Sequence, residues 1–212
     1  MKVATGKSIL NGVAIGTLRW FHRRGIQVET SSALSPEEEL TRFEQARKKA
    51  REQLKRLYHS AVEEVGEDNA AIFEIHQMML EDEDFLDAVR EIIRTQGATA
   101  EYAVQVTGEN FAAAFAAMED TYMQARATDV RDIAHRLIAV LTGEEERTSW
   151  REPFILMADD LTPSETVQLD KGKLLGFVTC KGSTNSHTAI LARTMGIPAL
   201  IGADVDPEWD GH

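Results

Sequence analysis

Near its C-terminal end the sequence reads KGSTNSHTAILARTMGIPALIG, and one side chain in it, His187, combines a type and a setting that could do chemistry. Asn185 is a suitable N-cap, Ser186 and His187 occupy the first helical turn, and Gly196 followed by Pro198 marks the helix end. The imidazole therefore falls at the positive end of a helix of about ten residues, where unpaired N–H groups and the helix dipole favour an anion such as phosphate. The same field disfavours imidazolium and favours a neutral, nucleophilic ring able to accept a phosphoryl group. A lone histidine at this place can also simply pack or cap its helix, and the residues by themselves leave both readings open. No Asp, Glu, Cys or second His lies at metal-ligand spacing, and Ser186, the neighbour in sequence, does not share a helix face with the ring.

A second stretch, ADDLTPSET, starts a helix with Thr162 as N-cap, Pro163 in the first turn and Glu165 completing a capping box. Capping leaves Thr166 without a role, and its hydroxyl could orient an imidazole if the two segments meet. Arg193, six residues beyond His187, could reach a phosphate or pair with a carboxylate.

Positioning such groups requires a folded frame. The chain has 212 residues and 43% hydrophobic content, enough to bury a core in one large or two small domains. Residues 1 to 20 suit short strands broken by Gly12 and Gly16. At SPEEEL, Ser35, Pro36 and Glu38 form a strong helix start, and Leu40, Phe43, Ala46, Ala50, Leu54, Leu57 and Ala61 then make one apolar stripe. Further helices are expected near 67–80, 84–96, 99–119 and 121–142, with no proline between Pro36 and Pro153 to interrupt them. Beyond Gly143 the apolar runs FILMAD, KLLGFVTC and PALIG alternate with the helix patterns TPSETVQLD and SHTAILARTMG, an α/β layer pattern. The N-terminal strands are too few to bury a face alone and are expected to join that zone, making the helical block an insertion. The resulting division is 1–20 and 148–212 for the α/β domain and 33–143 for the helical bundle, with connectors at 21–32 and 144–147.

Charge narrows the partners. The net charge of −12 argues against nucleic acid, and no apolar run is long enough for a bilayer or reads as a signal peptide, so a cytoplasmic protein is expected. Cys180 is the only cysteine, which excludes an intrachain disulfide and a thiolate cluster. Ten carboxylates lie between Glu63 and Val89 with no Lys or Arg among them, and the remainder nearly balances the 23 Lys and Arg. That segment is either a solvated acidic face or a docking surface for a basic partner.

Five stretches in register, AIFEIHQMMLEDED, YMQARATDVRDIAHRL, ADDLTPSETVQL, LGFVT and SHTAILARTMGIPALIG, resemble the N-terminal region of the Enzyme I family of the bacterial phosphoenolpyruvate:sugar phosphotransferase system. The resemblance runs over nearly the whole chain. It implies a discontinuous α/β phosphohistidine (swivelling) domain with an inserted all-α bundle that binds HPr, a small histidine-containing carrier protein. It implies that His187 is phosphorylated on Nε2 and that Thr166 hydrogen-bonds its ring. It also implies an HPr contact surface of Glu67, Asp68, Glu74, His76, Met79, Asp82, Glu83, Asp84, Phe115, Tyr122 and Arg126, which turns the acidic segment into a docking face. Met79 is read as a contact because it shares a helix face with Ile72 and His76.

Two departures stand out. The family's GGRTSH is GSTNSH here, with Ser183, Thr184 and Asn185 at the changed positions, and the family continues beyond DVDPEWDGH into the end of this domain and a C-terminal barrel. By resemblance that barrel binds phosphoenolpyruvate and Mg²⁺ and forms the homodimer. The present chain is therefore expected to be a monomer that binds no metal or other cofactor and exchanges phosphoryl groups only with HPr. The nitrogen branch of Enzyme I, the dihydroxyacetone-kinase phosphodonor, and pyruvate phosphate dikinase or phosphoenolpyruvate synthase are the alternatives with a similar phosphohistidine segment. A non-enzymatic interaction module is a further one, in which replacing His187 would change nothing.

Overall fold

A computed structural model describes residues 2–21, 27–143, 150–170, 172–182, 189, 192, 193 and 196–212. Five helices occupy the middle of the chain: α1 (Pro36–Val65), α2 (Glu67–Met79), α3 (Glu83–Gln96), α4 (Ala100–Ala116) and α5 (Thr121–Thr142). Strands β1 (Lys7–Leu10) and β2 (Thr17–Trp20) precede them, and β3 (Phe154–Ala158), α6 (Pro163–Gln168), β4 (Leu174–Thr179) and β5 (Ala199–Ile201) follow. By its contacts the chain divides into two compact units, Met1–Arg24 with Ser60–Asn69 and Arg147–His212, and Gly25–His59 with Ala70–Glu146.

Local chemistry sets the helix limits. Ser35 and Glu38 reciprocally cap α1: the Ser35 N–H donates to Glu38 Oε2 at 2.8 Å and the Glu38 N–H to Ser35 Oγ at 3.3 Å. The side chains of Asp82, Thr99 and Asp120 accept first-turn N–H groups of α3, α4 and α5. Gly97 and Gly143 end α3 and α5 in the left-handed conformation at φ 59° and 73°, where a side chain would be strained. Along α1, Phe43, Ala46, Ala50, Leu54 and Ala61 are buried, as the stripe requires. Helices α4 and α5 approach closely because Gly108 lacks a Cβ; one added there would lie 2.6 Å from Ala134 Cβ.

The other unit carries a mixed five-stranded sheet in the order β1-β5-β4-β3-β2. Strands β2 to β5 are parallel to their neighbours, and only β1 runs antiparallel, against β5. Both ends of the chain thus supply one sheet, with register Trp20 to Met157 on one side and Ser8 to Leu200 on the other. Its core is Phe21, Phe154, Leu156, Leu161, Leu169, Leu174, Phe177, Ala192, Ile197 and Ala199. The near-continuous burial of β3 and β4 is expected of parallel strands covered on both faces.

The open edge of β2 is closed by residues 209–212. Asp210 at φ −57°, ψ 132° and Gly211 at φ 83° make a type II turn, in which the His212 N–H donates to Trp209 O at 3.2 Å. The Gly211 N–H then donates to Leu18 O at 2.9 Å and the Leu18 N–H to His212 O at 2.8 Å, the pattern of a glycine β-bulge. The Trp20 N–H adds a bond to Asp210 Oδ1 at 2.9 Å, so these edge donors are not left open to another strand.

Candidate functional site

The segments that carry Thr166 and lead to His187 follow the carboxyl ends of β3 and β4, the edge of a parallel sheet where ligands usually bind. Beyond Ala158 the chain passes Asp159 and Asp160 and enters α6; beyond Thr179 it passes Cys180, Lys181 and Gly182 toward the segment that contains His187. The two exits are tied together, since the Cys180 N–H donates to Ala158 O at 3.0 Å and the Lys181 N–H to Asp159 O at 2.8 Å. His187 itself, with Ser183, Thr184 and Asn185, lies outside the described residues, as does most of the helix expected there. Of that helix Ala189, Ala192 and Arg193 are described; the two alanines are buried and Arg193 is exposed.

The start of α6 agrees with the residue reading. Thr162 Oγ1 accepts from the Glu165 N–H at 3.3 Å and Glu165 Oε2 from the Thr162 N–H at 2.7 Å. Thr166 is buried, and its hydroxyl donates to Pro163 O at 2.8 Å. Its only proton is therefore used inside the helix, and the capacity that remains to its oxygen is to accept. Cys180 is half-buried and its thiol is pushed above the ordinary value, first by burial and then by the carboxylates of Asp159 and Asp204. A thiol so shifted is a poor nucleophile at neutral pH.

In the helical unit, Glu74, Asp82, Glu83 and Asp84 are exposed, and so is Tyr122, at 63%. Phe115 and Met79 are half-buried against Ala112, Ala127 and Val130, while Met78, next to Met79, is exposed. Arg126 packs its guanidinium 4.6 Å from the centre of the Tyr122 ring, donates to the Tyr122 hydroxyl and pairs with Asp129 at 3.1 Å. Glu67 and Asp68, at the first turn of α2, are exposed and fall by contacts in the sheet unit. His76 corrects the sequence reading: it is not at the surface. With Ala70 and Phe73 it forms the buried stripe of α2, which turns Glu74 and Met78 outward instead. Among the described residues no three His, Cys, Asp or Glu side chains could hold a metal ion, and no helix is long and apolar enough to cross a membrane.

Family comparison adds to this geometry. A family model described as PEP-utilising enzyme, N-terminal, matches residues 5–126, and one described as PEP-utilising enzyme, mobile domain, matches 150–208. The chain belongs to the PEP-utilising enzymes. Within this family it is 37% identical over 203 residues to a phosphoenolpyruvate-protein phosphotransferase of Bacillus sp. (strain S), covering 95% of this chain and 35% of that protein. Its counterpart in Bacillus subtilis (strain 168) is 36% identical over 193 residues, covering 90% and 34%. The chain thus spans about a third of the length of these PEP-utilising relatives. A solution structure of Enzyme I aligns at a TM-score of 0.75 and 32% identity, covering 94% of this chain and 82% of that one. The N-terminal domain of a nitrogen Enzyme 1 aligns at 0.69 and 31%, covering 99% and 87%.

Proposed function

We propose that this chain is the phosphoryl-carrying, N-terminal part of a phosphoenolpyruvate-protein phosphotransferase, with the phosphoryl group on His187 Nε2. Its architecture in this reading is a discontinuous phosphohistidine domain, made by the strands of both chain ends, with the helical block inserted as the HPr-binding domain. The observation that carries the proposal is that Thr166, whose hydroxyl oxygen keeps its capacity to accept, lies on the helix that follows β3, at the sheet edge where β4 also ends and the chain runs on toward His187. Because that oxygen can only accept, it suits an imidazole with its proton on Nδ1, which leaves the Nε2 lone pair free to attack phosphorus. As the new N–P bond forms, the bond from phosphorus to the HPr histidine breaks, and the departing ring nitrogen keeps the electron pair. Positioning and electrostatics supply most of such catalysis. Exposed Arg193 is available to the phosphoryl oxygens, and the acidic face of the helical unit steers a basic HPr surface.

The phosphoenolpyruvate and Mg²⁺ chemistry belongs, in this proposal, to the C-terminal part of the longer relatives. No cluster among the described residues fits that ion. The chain then works in the cytoplasm as a monomer. The likeness to the nitrogen Enzyme 1 is nearly as close as that to the other solved structure, so a nitrogen-branch carrier is the second candidate donor.

Intact-mass spectrometry tests the proposal. Phosphorylated HPr should add one acid-labile phosphoryl group to this chain, whereas His187→Ala should gain none and phosphoenolpyruvate with Mg²⁺ should add none. A gain only from the nitrogen-branch carrier selects that branch, and no gain from either carrier by a folded sample overturns the reading.

A further inference from the structure

The helical unit buries a histidine that neither phosphoryl transfer nor direct docking uses. His76 on α2 has no exposed surface, and its two ring nitrogens lie near two carboxylates of α5: Nε2 is 3.5 Å from Asp129 Oδ1, and Nδ1 is 3.6 Å from Asp132 Oδ2. Both aspartates are themselves buried, and the Phe73 ring stands edge-on to the imidazole with centroids 6.2 Å apart. Neither nitrogen makes a hydrogen bond at these separations. Whichever nitrogen holds the proton, an N–H lies beside a carboxylate in the buried interior, where electrostatic attraction is stronger than in water.

Polar clusters of this kind stabilise a fold less than apolar packing of the same volume would, so position is a better reason for one than stability. The cluster also leads outward. The second oxygen of Asp129 accepts from Arg126 Nη1 at 3.1 Å, and Arg126 in turn stacks on Tyr122 and donates to its hydroxyl. Tyr122 is the exposed end of this line, with Met118 and Met123 also exposed beside it in sequence. An aromatic side chain held in one orientation before contact is the kind of anchor that docking surfaces favour, because little freedom is lost on binding.

We propose that His76 is a positioning residue for docking: flanked by Asp132, it fixes Asp129, and through Asp129 it holds Arg126 and the Tyr122 ring in one orientation on the surface. This rests on the reading that the helical unit docks HPr. It reassigns His76 from a contact to a support that acts from inside.

The test uses the full chain and purified HPr. Affinity is measured by calorimetry for wild type, His76→Gln, Arg126→Ala and the double variant, and the Arg126 Nε–H resonance is followed in each free protein that retains the arginine. Arg126→Ala is expected to weaken binding by about tenfold. His76→Gln should weaken it by about threefold or more and shift the Arg126 resonance, and the double variant should bind no worse than Arg126→Ala alone. If Arg126→Ala weakens binding while His76→Gln neither weakens it nor shifts the resonance, or if the two losses multiply, the positioning role is overturned and the docking reading stands. If Arg126→Ala and Tyr122→Ala both bind HPr as wild type does, the docking reading fails and the proposal fails with it. Should His76→Gln not fold, Asp132→Asn, which loosens the imidazole from its other side, is held to the same two readouts.

Discussion

Arg90 on α3 reaches Glu44 on α1, its Nη2 donating to Glu44 Oε1 at 2.8 Å. The same guanidinium also pairs with Asp87 at 3.0 Å and Glu83 at 3.2 Å, while Arg47 donates to the second Glu44 oxygen at 2.8 Å. Two helices far apart in sequence are thereby joined by half-buried, charge-assisted bonds, the stronger class of hydrogen bond.

Replacing Arg90 should therefore cost more than loss of a surface pair. Arg90→Met is expected to lower unfolding free energy by about 1–2 kcal/mol near neutral pH. Burial alone would raise the Glu44 carboxyl, but Arg90 and Arg47 hold it below the ordinary 4.5. A carboxyl depressed in the folded state adds stability above the unfolded value and loses it as pH falls through the folded one. The gap between wild type and variant should accordingly narrow in urea titrations run progressively below about pH 4.5. A gap that stays constant into acid would show that Glu44 is not the partner that matters.

Asp82 carries two roles that substitution can separate. Its Oδ1 accepts the Phe85 N–H at 3.0 Å as the cap of α3, and its charge belongs to the proposed docking face. Asp82→Ser should keep the melting temperature and lower HPr affinity most at low salt, whereas Asp82→Ala should also lose about 1 kcal/mol of stability. Equal affinities for wild type and the serine variant at low ionic strength would remove Asp82 from the docking face.

At Gly108, helix propensity and packing make opposite predictions. Alanine is the better helix former by about 1 kcal/mol. Its Cβ would nonetheless sit 2.6 Å from Ala134 Cβ, and overpacking of this kind typically costs about 1–3 kcal/mol. Gly108→Ala should thus melt lower than wild type, and adding Ala134→Gly should restore much of the loss. A higher melting temperature for the single variant would mean that α4 and α5 part easily.

Thr166 is predicted to matter as an acceptor. Thr166→Ser keeps the oxygen and should retain phosphoryl exchange with HPr, whereas Thr166→Val should slow it by about tenfold or more, as loss of an orienting partner does. Rapid-quench measurement of phosphoryl gain separates this from stability, which should fall only modestly when the bond to Pro163 is lost. Equal rates for all three proteins would leave the hydroxyl a helix-capping detail.

Much of this protein was legible along the chain because the governing interactions are local. The caps at Ser35 and Thr162, the stripe from Phe43 to Ala61 and the left-handed glycine at 143 depend on residues within a few positions of each other, so helix limits follow from spacing. The short apolar runs likewise announced β3, β4 and β5. Tertiary structure alone decided what distant residues do to one another. Periodicity placed His76 and Met79 on one face but not which way that face turns, and contact with Asp129 and Asp132 on α5 carries His76 inside while Met78 reaches solvent. Strand order is equally non-local: the pairing of Lys7 with Ile201 and of Thr17 with Phe154, each more than a hundred positions away, sets it, and no pattern within either segment encodes its partner. The bonding of Cys180 and Lys181, beyond β4, to Ala158 and Asp159, at the end of β3, is a consequence of that order, because parallel neighbours deliver their following loops to one edge.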